Sequence, residues 1–205
     1  MFLHKTPSFL FKLYPSLIWR KPTKEKVIYL TFDDGPIPNL TPWVLDVLRE
    51  FNAKATFFCV GENVQKHPEI FQQIIEEGHA VGNHTFNHLN GWKTPDIDYL
   101  RNTLRADEEI RKYTKTDLFR PPYGRIGRQQ MKQLGHKRMI MWDVLSGDFS
   151  AKLNPERVLS KSIRYTSSGS IVVFHDNLKA TQNLKYALPA YLAHFIELGY
   201  SFKAL

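Results

Sequence analysis

His84 and His88 stand four residues apart in the run Gly82, Asn83, His84, Thr85, Phe86, Asn87, His88, and two imidazoles at that spacing can chelate one metal ion. On a helix, that spacing would put both rings on one face. A pair of carboxylates, Asp33 and Asp34, leaves the apolar run Val27–Phe32 just before Gly35 and Pro36. One carboxylate added to two histidines leaves coordination positions open for water and substrate, the arrangement of a catalytic ion rather than a structural one. Such an ion lowers the pKa of water to about 7 and makes hydroxide available near neutral pH. Each piece alone has a plainer reading, because Asp-Gly pairs belong to turns and loop histidines mostly pack or face solvent.

These groups need a scaffold that brings distant segments together. Strands are predicted at 27–32, 55–60, 79–83, 117–120, 139–142, 170–174 and 200–205, from apolar, β-branched or aromatic runs bounded by turn residues. Between them, Thr41 with Pro42, Pro68, and Thr94 with Pro95 open helices, and further helices are predicted over 128–134, 155–165 and 184–198. The third helix is read as running through Ile97, Leu100, Leu104 and Ile110. Seven strands alternating with helices imply parallel pairing, in a closed barrel or an open doubly wound sheet. Polar residues follow five of the strands: Asp33 and Asp34, His84, Arg120, Asp143, and His175 with Asp176. A barrel gathers all C-terminal strand ends at one mouth, whereas an open sheet gathers only those near its switch point, so this pattern favours the barrel.

The 205 residues suit one domain, and 42% hydrophobic with 23% charged residues is the composition of a globular chain. The formal charge of +8 is spread singly and in short clusters such as Arg20–Lys21, which argues against a nucleic-acid interface. Cys59, the only cysteine, lies in an apolar run and excludes an internal disulfide. The stretch Met1–Trp19 is rich in Phe and Leu, but Lys5, Pro7, Lys12 and Pro15 interrupt it. The expectation is therefore no signal peptide and no transmembrane segment, a cytoplasmic location by default, with peripheral membrane contact or cell-envelope association left open. Residues 1–25 are expected to form an arm or edge segment packed on a domain of residues 26–205.

In order along the chain, Thr31-Phe-Asp-Asp-Gly-Pro36, His84-Thr-Phe-Asn-His88, Arg120-Pro-Pro-Tyr-Gly124, Asp148 beyond Trp142, and His175 after Ile171-Val-Val-Phe174 resemble the motifs of the polysaccharide deacetylase family, with its NodB-homology domain (carbohydrate esterase family 4). The similarity runs from Lys26 to Leu205. It implies an α/β fold, a distorted (β/α) barrel of about seven parallel strands. It also implies metal-dependent removal of the N-acetyl group from an N-acetylated oligo- or polysaccharide, such as peptidoglycan, chitin-type chains or another GlcNAc-containing glycan, with release of acetate.

By that resemblance Asp34, His84 and His88 are the metal ligands, with Zn2+ as the default ion and Co2+, Ni2+ and Mn2+ as alternatives. Asp33 becomes the general base that takes a proton from metal-bound water, and the Tyr123 backbone N–H faces the resulting oxyanion. His175 becomes the general acid for the departing amine, Asp148 orients it, and Arg120 pairs with the base. Pro122, Tyr123 and Phe149 are expected to line the substrate groove, Trp142 to belong to the core, and Asp143 to be supporting or structural. Phe149 replaces a Trp and Leu145 an acidic residue found in many relatives; the second change should make part of the groove less polar. His4, His67, His79, His136 and His194 match no motif and are read as surface or packing residues. The chain is expected to act as a monomer. Alternatives are a catalytically silent carbohydrate-binding protein, a metal-dependent hydrolase of another amide or ester, and a protein bound to nucleic acid or anionic membrane through its positive charge.

Overall fold

Val27–Asp33 (β1) is buried at every position, as expected for a central strand with both faces covered. Its alternation divides two cores. Ile28, Leu30 and Phe32 pack outwards with α2 (Leu40–Glu50), β2 (Ala55–Cys59) and α4 (Pro68–Glu76), whereas Val27 and Tyr29 pack inwards with Phe58, Leu118, Ile140 and Ile171. The same two-residue period carries the inward face on to Thr31 and Asp33. A computed structural model describes residues 2–205; Met1 lies outside the described residues.

The remaining elements are α1 (Phe9–Leu13), α3 (Gly61–Lys66), β3 (Ala80–Asn83), α5 (Asp96–Arg111), β4 (Leu118–Phe119), α6 (Arg128–Gln133), β5 (Arg138–Met139), β6 (Val144–Leu145), α7 (Pro155–Tyr165), β7 (Ile171–His175), α8 (Thr181–Glu197) and β8 (Ser201–Phe202). The strands lie in the order β5-β4-β3-β2-β1-β7-β6, with all neighbours parallel, and β8 pairs with the start of β1. This is the distorted (β/α) barrel, with an eighth short strand beside the seven-stranded path.

The barrel does not close by direct pairing of β5 with β6. Lys5 bridges antiparallel to Val144, Ile18 parallel to Ile140, and Arg20 antiparallel to Ser170. Asp143, buried at that seam, pairs with Lys5 at 2.9 Å and Arg20 at 3.0 Å and accepts hydrogen bonds from Ser170 Oγ and the Ile171 N–H. A buried carboxylate needs such partners, and here two of them come from the first twenty residues.

Three sequence expectations are corrected. The strand over 139–142 is shortened to β5, because the carbonyls of Ile140 and Met141 accept from Arg120; beyond the Ile140 bridge to Ile18, pairing resumes at β6. On α5 the buried stripe is Tyr99, Thr103, Ala106, Asp107 and Ile110, while Ile97 and Leu104 are exposed, since the helix turns a partly polar face to the barrel to meet Asn83. Helices α1 and α3 were not anticipated; at five and six residues they are too short to show a periodic stripe.

Candidate metal centre

The end of β1 places Asp33 and Asp34 on different paths. Asp33, the last residue of the strand, pairs in register with His175 of β7 and points into the barrel. Asp34 leaves the strand at φ 85° and turns towards the loop after β3. Its N–H donates to Phe58 O at 3.2 Å, its carbonyl accepts from Asn63 Nδ2 at 2.8 Å, and its Oδ2 accepts from Asn177 Nδ2 at 2.5 Å.

Asp34 Oδ1 is buried and receives no hydrogen bond. It lies 3.0 Å from His88 Nε2 and 3.5 Å from His84 Nε2. His84 Nδ1 sits 2.7 Å from Arg120 O, so this nitrogen carries the proton and Nε2 keeps its lone pair. Among the described residues these are the one group of three potential ligands, with donor atoms all within 4.8 Å of one another. An orphaned carboxylate oxygen facing imidazole nitrogens is a donor set that a divalent cation satisfies.

The two histidines do not sit on a helical turn, which corrects the reading of their spacing. The loop folds back through left-handed conformations at Thr85 (φ 61°) and His88 (φ 55°), and this brings the ring centroids to 5.0 Å. Asn83 fixes the loop: its Oδ1 accepts from the Thr85 N–H and its Nδ2 donates to Asp107, which pairs with Lys137.

Arg120 is fully buried and joins two groups. Its Nη1 donates to Asp33 Oδ1 at 2.6 Å and to Thr31 Oγ1, while Nε and Nη2 hold Ile140 O and Met141 O. Its plane lies over the Phe58 ring, 4.1 Å from the centroid. Trp142 packs half-buried between two apolar clusters, consistent with a core role.

On the other side of Asp33, His175 Nδ1 lies 2.8 Å from Asp148 Oδ1, and the His175 N–H donates to Asp148 Oδ2. Burial lowers the His175 pKa, but Asp148, with Asp34 and Asp33 behind it, overrides this and raises it to about 9. The folded protein therefore holds this proton more tightly than the unfolded chain, so the associated stability is full below about 6.5 and is lost as pH rises through about 9. In chelator-treated protein, urea midpoints are expected to decline over that range, and Asp148→Asn is expected to flatten the decline. An unchanged slope in the variant would contradict the pairing.

Phe149 packs edge-on against His175, with centroids 4.9 Å apart, and Phe2 backs it at 5.1 Å. Tyr123 is 60% exposed, stands at φ 60° and brings its hydroxyl to 3.1 Å from His88 Nδ1. The tight turn uses the N–H groups of Gly124 and Arg125. Pro122 is buried beneath it. Leu145 is corrected: it is buried in β6 and bonded to His4 through its N–H and carbonyl, so it is covered rather than set on a groove wall. His79 packs in the core, accepting from the Ala55 N–H, and burial pushes its pKa down to about 4.

Sequence reasoning missed Asn63, Asn177 and the role of Asp176. The last is fully buried and accepts from the Gly35 N–H and from Thr41 Oγ1, and burial pushes its pKa up to about 8. A Cβ on Gly35 would meet Asp176 Oδ2 at 2.0 Å, so only glycine allows this tie between the β1 and β7 ends. Adjacency to His175 was the one available signal for Asp176; the two asparagines had none.

Residues 20–139 match the model of the polysaccharide deacetylase family. The chain is 36% identical over 191 residues to a peptidoglycan-N-acetylglucosamine deacetylase of Bacillus cereus, across 90% of this chain and 88% of that one. The solved Bc1960 peptidoglycan N-acetylglucosamine deacetylase shares the fold with a TM-score of 0.89 at 29% identity, covering 98% of this chain and 95% of its own. BA3943 of Bacillus anthracis, described as a pseudoenzyme of the same esterase family, has a TM-score of 0.82 at 26% identity, over 93% of this chain and 68% of its own. Fold likeness thus extends to a protein described as a pseudoenzyme, so the fold by itself does not establish turnover.

Proposed function

Because the chain belongs to the polysaccharide deacetylase family, we propose that it hydrolyses the N-acetyl group of a GlcNAc-containing glycan, releasing acetate and leaving a free amine. The carrying observation is the orphaned Asp34 Oδ1 between His84 and His88, one residue from a carboxylate paired with Arg120. Asp34, His84 and His88 would hold one divalent cation, zinc first by its affinity for imidazole and carboxylate. Bound there, it supplies Lewis acidity that polarises a carbonyl and acidifies water.

The protein's own groups do the rest. Arg120 holds the Asp33 carboxylate at 2.6 Å and fixes it where it would take a proton from attacking water. The Tyr123 N–H would meet the oxygen that gains charge as the carbonyl becomes tetrahedral. Expelling an amine requires its protonation, and His175, charged and held at Nδ1 by Asp148, keeps an Nε2 proton to give. Phe149 and the exposed Tyr123 ring offer apolar surface to the sugar. A glycan-binding protein without turnover would need neither a proton acceptor nor a proton donor beside the cation site, and Asp33 and His175 are both present.

Acetate release from chitin oligomers and peptidoglycan fragments, with and without chelator, tests this reading. Release is expected to vanish on chelation and return with zinc or cobalt. Negligible release from every such glycan under saturating zinc and cobalt would overturn it.

A further inference from the structure

Only one of the two Asp34 carboxylate oxygens faces the histidines. Oδ1 turns to His84 and His88, while Oδ2 is taken by Asn177 Nδ2. Asn177 lies two residues beyond His175, in the loop from β7 to α8. Its amide has one permitted orientation: the Ala180 N–H donates to Asn177 Oδ1 at 3.0 Å, so the opposite end, against Asp34, is the donor Nδ2. The Asp34 backbone is held separately, by Asn63 on its carbonyl and by its own N–H on Phe58 O. A non-glycine residue at φ 85° persists where its surroundings over-determine it.

We infer that Asn177 is a positioning residue for the cation site, presenting Asp34 as a single-oxygen ligand. With Oδ2 engaged, the carboxylate cannot swing towards His175 or offer both oxygens to the ion, and the uncommitted oxygen is the one within reach of both imidazoles. An amide suits this task because it donates without titrating and, unlike a carboxylate, adds no competing anionic ligand. The inference rests on the metal-site reading, and it assigns a role in that site to a residue outside the donor set.

Removing a hydrogen-bond partner of a ligating side chain typically weakens metal binding about 10–100-fold. Zinc affinity of the full chain, measured without substrate by competition with a chromophoric chelator, should fall by about that factor in both Asn177→Ala and Asn177→Leu. Thermal midpoints of the metal-free proteins provide the second readout. If Asn177 only secures the start of α8, the midpoints drop while zinc affinity stays within twofold of the parent, and the inference is overturned. Two variants of different bulk guard against a packing defect in one. The control is Asp34→Asn: a parent that binds zinc no better than this control would instead overturn the metal-site reading, leaving the two failures distinguishable.

Discussion

Asp33→Asn is expected to lower kcat for acetate release by roughly 10²–10⁴-fold, the usual contribution of a positioned general base, while leaving zinc affinity close to that of the parent. The separation follows from geometry. Asp33 points into the barrel beside His175, whereas the oxygen facing the two histidines belongs to Asp34. An asparagine keeps an oxygen for the Arg120 N–H bond at 2.6 Å but cannot take a proton from water at neutral pH. Rates under saturating zinc, with a chelator-competition titration and thermal midpoints of the same preparation, check the result. A variant that keeps kcat within tenfold of the parent would remove Asp33 from the mechanism.

Arg120→Met should have the largest effect on the molecule as a whole. Breaking one side of a buried ion pair costs about 3–5 kcal/mol, because the remaining charge stays desolvated. Here the loss is compounded, since Thr31 Oγ1, Ile140 O and Met141 O all rely on the same guanidinium. Arg120→Lys is expected to fall between parent and Met variant, as one ammonium cannot reach four acceptors spread around a planar fork. Urea midpoints of chelated protein decide the matter. A Met variant within about 1 kcal/mol of the parent would mean the pair is not the structural plug inferred from its burial.

These two residues also mark the division between local and non-local information. The strand alternation that directs Asp33 inwards, the polar residues at successive strand ends, and the order of the five motifs can all be read along the chain, because each depends on spacing within a few residues. Strand and helix boundaries were legible where apolar runs were long, as in β1 and α4; α3 was too short to show, and in α5 the extent was legible but not the buried face, which is partly polar.

By itself, the sequence determined the parallel α/β plan and the chemical types assembled at its mouth: two carboxylates, two close histidines, an arginine, and a histidine with its own carboxylate. Only the tertiary structure decided how the two histidines meet, through two left-handed residues rather than a helix, and which residues restrain Asp34. It also decided that Lys5, Ile18 and Arg20 fill the gap between β5 and β6. The physical reason is separation along the chain. Asn177 reaches Asp34 across 143 positions and Lys5 reaches Asp143 across 138, and an asparagine or lysine outside the regular elements carries no local mark of the partner that folding will place beside it.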